Sequence, residues 1–267
     1  MIIDNGKFDL HMHTTASDGE YSPADLVRKA APLDLRVIAI TDHDTLDGVA
    51  EAQRIGREVG VEVIAGVELS TKHEGKTIDI LGYKLNKVEE LNQLLTRMRR
   101  ARESRAQVII EKFAEIGMPI MMDDIMEFSQ GGVIARPHIA KAVVKKGYVA
   151  DYQQVFDEYL ADGKPCAIDK TIITPEEAIE LIHDAGGKAV LAHPVYLKDD
   201  EFVETLLRFP FDGIEVWHRS HNPEDVSRYK ALARKYQILM TGGSDFHNDD
   251  HQLGSFGYTV ETDKKKM

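Results

Sequence analysis

Short β-branched apolar runs alternate with amphipathic stretches along most of this chain, and many of the runs stop at histidine, aspartate or glutamate. Arg36–Thr41 stops at Asp42-His43-Asp44, Glu62–Val67 at Glu68, Lys188–Ala192 at His193-Pro194, and Ile238–Thr241 at Gly242-Gly243-Ser244-Asp245-Phe246-His247. A run apolar at nearly every position suits a strand buried on both faces. Phe8–Met12, Thr77–Tyr83 and Gly213–Val216 read as further strands. Helices are predicted between them: from the Ser22-Pro23-Ala24-Asp25 cap to about Ala31, over Leu46–Val59, from Thr174-Pro175-Glu176-Glu177 to about Ala185, and over Asp200–Phe209 and Glu224–Tyr236. Seven strands alternating with helices predict an α/β fold, a distorted (β/α)7 TIM-like barrel with parallel strands. The competing open doubly wound sheet lacks its phosphate-cradling glycine loop here.

From Lys87 to about Gly163 the rhythm is helical only, with a long amphipathic helix up to Gly117 and shorter ones near Asp123–Phe128, Pro137–Lys146 and Tyr152–Leu160. The expected organisation is therefore a barrel over 1–86 and 166–267, interrupted by a small all-helical insertion over 87–165. The Arg97–Arg102 cluster in that insertion reads as a solvated helix face.

Composition narrows the function classes. A chain of 267 residues with 43% hydrophobic and 29% charged residues is that of a globular protein with a real core. No apolar run approaches the ~20 residues of a membrane span, and no signal peptide is recognisable at Met1-Ile2-Ile3-Asp4. A single cysteine, Cys166, fits a reducing compartment, so a cytoplasmic location is expected, without membrane attachment or an obligate protein partner. The net charge of -12 argues against a basic surface for tracking duplex nucleic acid, but not against an anionic substrate that cations help to bind.

The polar strand ends carry the chemistry. His11 and His13 stand two apart, so on a strand both imidazoles face one side, and Asp18 follows in the next loop. The plain reading is a strand with a polar face; the recurrence of similar groups at later strand ends favours a metal site. His11, His13, Asp18, His43, Glu68, His193, Asp245 and His247 all fall where a barrel places its active site. Nitrogen and oxygen donors without thiolate suit manganese, zinc or iron. One catalytic zinc takes about three protein ligands, so this set predicts two or three divalent ions, with Glu68 or Asp245 suited by type to bridge.

His11-Met12-His13, Thr41-Asp42-His43-Asp44, Gly66-Val67-Glu68, Ala192-His193-Pro194 and Ser244-Asp245-Phe246-His247 resemble the motifs of the polymerase and histidinol phosphatase (PHP) family. That resemblance implies a metal-dependent phosphoesterase on a distorted seven-stranded barrel. Within the family, Arg136-Pro137-His138-Ile139-Ala140 and Asp162-Gly163-Lys164-Pro165 resemble the branch that removes the 3′-phosphate from nucleoside 3′,5′-bisphosphates, some members of which trim short RNA from its 5′ end. It implies His11, His13, Glu68 and Asp245 around one ion, Asp18, His43 and His247 around another, and Glu68 with His193 at a third. Many relatives have histidine where this chain reads Ile78-Asp79-Ile80, so Asp79 offers a carboxylate there instead. Ala167-Ile168 also departs from relatives that carry an aromatic residue.

The expected reaction is attack of a metal-bridging hydroxide on a phosphomonoester of a small nucleotide, with Glu68, Asp245 and His193 as catalytic residues and no serine or cysteine nucleophile. Arg136 offers a bidentate fork for a second phosphate, with His138, Lys141, Lys170 and His221 as further substrate contacts. Alternatives are a phosphatase for another metabolite such as histidinol phosphate, a 5′-3′ exoribonuclease on short RNA, and a non-catalytic metal-binding domain.

Overall fold

The structure, a computed structural model, describes residues 7–129, 134, 136–161, 163–168 and 173–258, with the side chains of 98–104 excepted. The chain divides into two compact units, Met1–Gln93 with Ile172–Met267, and Leu94–Thr171.

The first unit is a nearly closed seven-stranded barrel whose strands neighbour one another in chain order. The strands are β1 (Lys7–Asp9), β2 (Leu35–Ile40), β3 (Glu62–His73), β4 (Lys76–Tyr83), β5 (Lys188–Leu191), β6 (Gly213–His218) and β7 (Leu239–Gly243). Between them run α1 (Pro23–Ala30), α2 (Val49–Val59), and, after the second unit, α7 (Pro175–Asp184), α8 (Asp200–Leu206) and α9 (Pro223–Tyr236). The caps foreseen in the sequence form: Ser22 Oγ accepts from Asp25 N, and Thr174 with Glu177 makes a reciprocal capping box. Leu26, Val27, Ala52 and Ile55 of α1 and α2 pack against Ile38, Ile40 and Val63 of the barrel wall. Full burial of each large aliphatic side chain contributes about 1.5–3 kcal/mol.

Two features differ from the sequence reading. The expected parallel barrel holds for β1–β3 and β5–β7, but β4 runs antiparallel to both β3 and β5. The reason is the two-residue turn Glu74-Gly75, with φ of 48° and 80°, which is a tight hairpin; a parallel crossover needs a far longer connection. Pairing with β4 also carries β3 on to His73, past the end of its apolar run. Secondly, regular pairing of the first strand stops at Asp9 rather than Met12. The Asp9 carboxylate accepts from His11 N and Ser244 N, taking the place of ladder bonds, and Met12 keeps an isolated parallel bridge to Phe246.

The barrel closes where β7 meets the first strand: Leu10 N donates to Gly242 O at 3.2 Å. A Cβ on Gly243 would stand 2.3 Å from His11 Cβ, so this seam requires a residue without a side chain.

The second unit is helical: most of α3 (Val88–Glu115), inside which the division falls, then α4 (Met122–Ser129), α5 (Arg136–Lys145) and α6 (Tyr152–Val155), which continues into a π turn over Phe156–Leu160. Ile109, Phe113, Ile125, Ile139, Val143 and Cys166 belong to its own core. Among the described residues no helix is long and apolar enough to cross a membrane.

Candidate metal centre

The centre is assembled from the C-terminal ends of strands and the segments that follow them. His11 and His13 follow β1, Asp18 lies in the next loop, and His43 follows β2; Glu68 sits within β3, His193 follows β5, and Asp245 and His247 follow β7. Glu68 is buried at the middle of the group. Its Oε2 lies 3.2 Å from His11 Nε2, 3.2 Å from His13 Nε2 and 3.3 Å from His43 Nδ1, while its Oε1 lies 3.0 Å from His193 Nε2. Asp245 Oδ1 reaches His11, His13 and His247 at 3.5, 3.3 and 3.4 Å. Asp18 Oδ1 stands 3.6 Å from His13 Nδ1 and 3.4 Å from His247 Nε2.

Three overlapping donor sets result: His13, Asp18, His43 and His247; His11, His13 and Asp245; and His11, Glu68 and His193. In each, the candidate ligand atoms lie within 4.8 Å of one another. All eight strand-end donors expected from the sequence are therefore brought together. Asp79 stands apart from these sets, with Oδ2 4.0 Å from His193 Nε2.

The electrostatics fit cations. Burial lowers the pKa of His13, but Asp245 and Glu68 outweigh it and raise the imidazole to about 10; His11 is likewise raised by Glu68, Glu215 and Asp245 against burial. Burial favours the neutral form of Glu68 and Asp245, yet the surrounding imidazoles hold both below the usual carboxylate range. Both ring nitrogens of His13 and Nδ1 of His43 are buried without a hydrogen bond. Buried nitrogens so left, converging on carboxylate oxygens, are the donors a divalent ion satisfies.

A layer of buried polar residues holds the donors in place. Glu215 is fully buried; its Oε1 accepts from His11 Nδ1 at 3.2 Å and its Oε2 from His193 N at 2.9 Å. Because a carboxylate only accepts, it fixes a proton of His11 at Nδ1, so that the neutral imidazole a metal requires would keep its lone pair on Nε2, the nitrogen that faces the cluster. Asp42 accepts from Thr14 N, Thr14 Oγ1 and Ser17 Oγ, bracing the loop that carries Asp18. Asp9 accepts from Ser244 N, Ser244 Oγ, Gly254 N and His11 N. Arg219 pairs with Asp245 Oδ2 at 2.8 Å and donates to the Ser244 and Asp245 carbonyls. Asp245 itself has φ of 51° and His193 φ of 23°, strained values for residues with side chains that these contacts sustain.

Glu215, Asp9 and Arg219 were missed in the sequence; a lone glutamate inside the apolar Gly213–Val216 run was the one signal among them. The buried His218 has Nε2 3.5 Å from Asp245 Oδ2. His221 lies behind it, with Nδ1 donating to Val216 O and the two rings 5.3 Å apart. Arg136, His138 and Lys141 lie on α5 in the second unit, where Arg136 donates to Leu160 O. Lys170 lies outside the described residues.

The PHP domain model matches residues 9–164. This chain belongs to the PHP domain family. Over 90% of both chains, this PHP domain is 36% identical to a 5′-3′ exoribonuclease of Haemophilus influenzae. It is 32% identical to the 3′,5′-nucleoside bisphosphate phosphatase of Chromobacterium violaceum, over 95% of this chain and 91% of that one. Among solved structures, a putative metal-dependent phosphoesterase from Bifidobacterium adolescentis superposes with a TM-score of 0.75 at 30% identity, covering 97% of this chain and 94% of that one.

Proposed function

We propose that this PHP domain hydrolyses a phosphomonoester on a small nucleotide, the 3′-phosphate of a nucleoside 3′,5′-bisphosphate, using two or three divalent ions of manganese, zinc or iron. The observation that carries the reading is the run of three donor groups, the first two joined by His13 and the last two by His11, around one buried glutamate. The C. violaceum relative supports the substrate.

His11, His13, Glu68 and Asp245 would hold one ion, Asp18, His43 and His247 another, and Glu68 with His193 a third beside Asp79. When bound, such ions supply Lewis acidity to phosphoryl oxygens and make water acidic enough to attack near neutral pH. The chain itself orients and excludes. Glu68 presents one oxygen to three imidazoles and the other to His193, which suits it to bridge. Arg219 fixes one oxygen of Asp245 and leaves Oδ1 directed at the histidines. Burial of His11, His13 and Glu68 keeps bulk water from the inner side of the group. Arg136, His138, Lys141, Lys170 and His221 are nominated for the rest of the substrate by their charge or hydrogen-bonding chemistry and their place in the sequence. A second reading, stepwise 5′-3′ hydrolysis of short RNA, is favoured by the name of the H. influenzae relative.

The test is phosphate release by manganese-loaded protein from adenosine 3′,5′-bisphosphate, beside 5′-AMP, 3′-AMP, histidinol phosphate and a 5′-phosphorylated RNA oligomer. Turnover of the bisphosphate, lost in His11→Ala and His13→Ala, is expected. Turnover of histidinol phosphate alone overturns the substrate, and mononucleotide release from the oligomer without bisphosphate hydrolysis selects the second reading.

A further inference from the structure

We propose that a cavity beside His193 is the subsite for the substrate's nucleobase, with Tyr196 as its stacking wall. This inference rests on the nucleotide reading above. The cavity, about 420 Å³, is bounded by Lys76, Asp79, Leu191, His193, Tyr196 and Leu197, among others. Its volume lies within the ~300–1,000 Å³ typical of small-ligand sites. One wall is His193, whose Nε2 is 3.0 Å from Glu68, so the cavity adjoins the donor cluster directly.

Tyr196 is half exposed yet held at several points. It sits on the 3₁₀ turn Pro194–Leu197, and its N–H donates to His193 O. Its hydroxyl hydrogen-bonds Ser220 Oγ at 2.8 Å, and its ring centroid lies 5.0 Å from His193 and 5.8 Å, edge-on, from His218. An aromatic ring so restrained has already lost the rotamer freedom that stacking would cost, which favours it as a platform.

The rest of the lining separates ring from phosphate. Leu191 and Ile78 are buried apolar surface. Asp79 brings a buried Oδ1 with no hydrogen-bond partner, an acceptor suited to the exocyclic amine or ring N–H of a base. Lys76 is already paired with Asp199 at 2.9 Å. The cavity thus recognises a planar, neutral, N–H-bearing ring, while the anionic part of the same molecule belongs at the cluster.

The experiment is equilibrium dialysis of manganese-loaded protein against 5′-AMP, ribose 5-phosphate and inorganic phosphate. In the unmodified protein, 5′-AMP should bind about tenfold more tightly than ribose 5-phosphate, the scale of base–aromatic stacking. Tyr196→Ala should erase that difference while leaving ribose 5-phosphate and phosphate unchanged. Tyr196→Phe should retain it, and Thr77→Trp, which fills the cavity from an exposed strand position, should erase it again. Equal binding of 5′-AMP and ribose 5-phosphate by the unmodified protein overturns the subsite. So does a Tyr196→Ala variant that weakens all three ligands alike, which would mean that Tyr196 acts only by supporting His193. Binding of phosphate without either organic ligand, together with turnover of a non-nucleotide ester, would instead overturn the nucleotide reading itself.

Discussion

Glu215→Gln isolates the role of one buried carboxylate with almost no change of shape. Glu215 accepts two hydrogen bonds, from His11 Nδ1 at 3.2 Å and from His193 N at 2.9 Å. Glutamine has one accepting and one donating head, so one of the two donors must lose its partner. If the amide nitrogen turns to His11, the imidazole proton must move to Nε2, the atom 3.2 Å from Glu68 that the donor cluster uses. If it turns to His193, a backbone N–H at the strained φ of 23° loses its acceptor, an uncompensated donor costing about 1–3 kcal/mol. Loss of such an outer partner typically weakens metal binding about 10–100-fold, equivalent to ~1.4–2.7 kcal/mol. Manganese affinity measured against a competing chelator should fall by that factor, with far-ultraviolet circular dichroism unchanged. Imidazole nitrogen chemical shifts should show His11 changed in tautomer or His193 displaced. Affinity within twofold of the unmodified protein, with both histidines unaltered, would refute the reasoning.

The Asp9 carboxylate oxygens together accept from three backbone N–H groups and a serine hydroxyl, and Asp9→Asn turns one of these oxygens into a donor facing donors, so unfolding free energy in urea should drop by about 1–3 kcal/mol; an unchanged midpoint would show that Asp9 is not holding the Ser244 segment. Metal loading should release protons near neutral pH, because the His13 pKa stands at about 10 in the metal-free protein and a ligating imidazole must be neutral. Calorimetric titration in two buffers of different ionisation heat measures this, and zero release contradicts it. The same raised pKa gives the metal-free fold a contribution that is full below the ordinary 6.5 and is lost as pH rises through about 10. Its melting temperature should accordingly fall from pH 7 to 10, while the manganese-loaded protein, with its imidazoles neutral throughout, should lack that component.

Much of this was legible because donors and strand ends share one pattern. His11 and His13, His43, Glu68, His193, and Asp245 with His247 each terminate or interrupt an apolar run, and a barrel converts that linear pattern into a ring. Strand direction was less legible. Thr77–Tyr83 reads as a buried strand whichever way it points, and the information lay in the turn Glu74-Gly75 rather than in the strand. The supporting residues were hidden for a different reason. Glu215 and Asp9 look like single polar interruptions, and only the three-dimensional approach of His193, Ser244 and Gly254 gives their oxygens something to accept. Arg219 looks like an ordinary charge after a strand until the Asp245 backbone is found against it. Its role depends on β6 and β7 being neighbours.

The glycine seam between β7 and the first strand also has a meaning in time. A ribosome delivers His11, His13, Asp18, His43 and Glu68 early, and all of them wait for a wall that the chain has yet to make. Asp245 and His247 emerge only with the segment that follows Gly243, the same residue that lets the final strand press against His11. Closure of the barrel and completion of the donor set are therefore one event. A chain stalled or clipped before that segment lacks Asp245 and His247, two of the eight donors, so only a chain made as far as that strand and the loop after it carries the whole set.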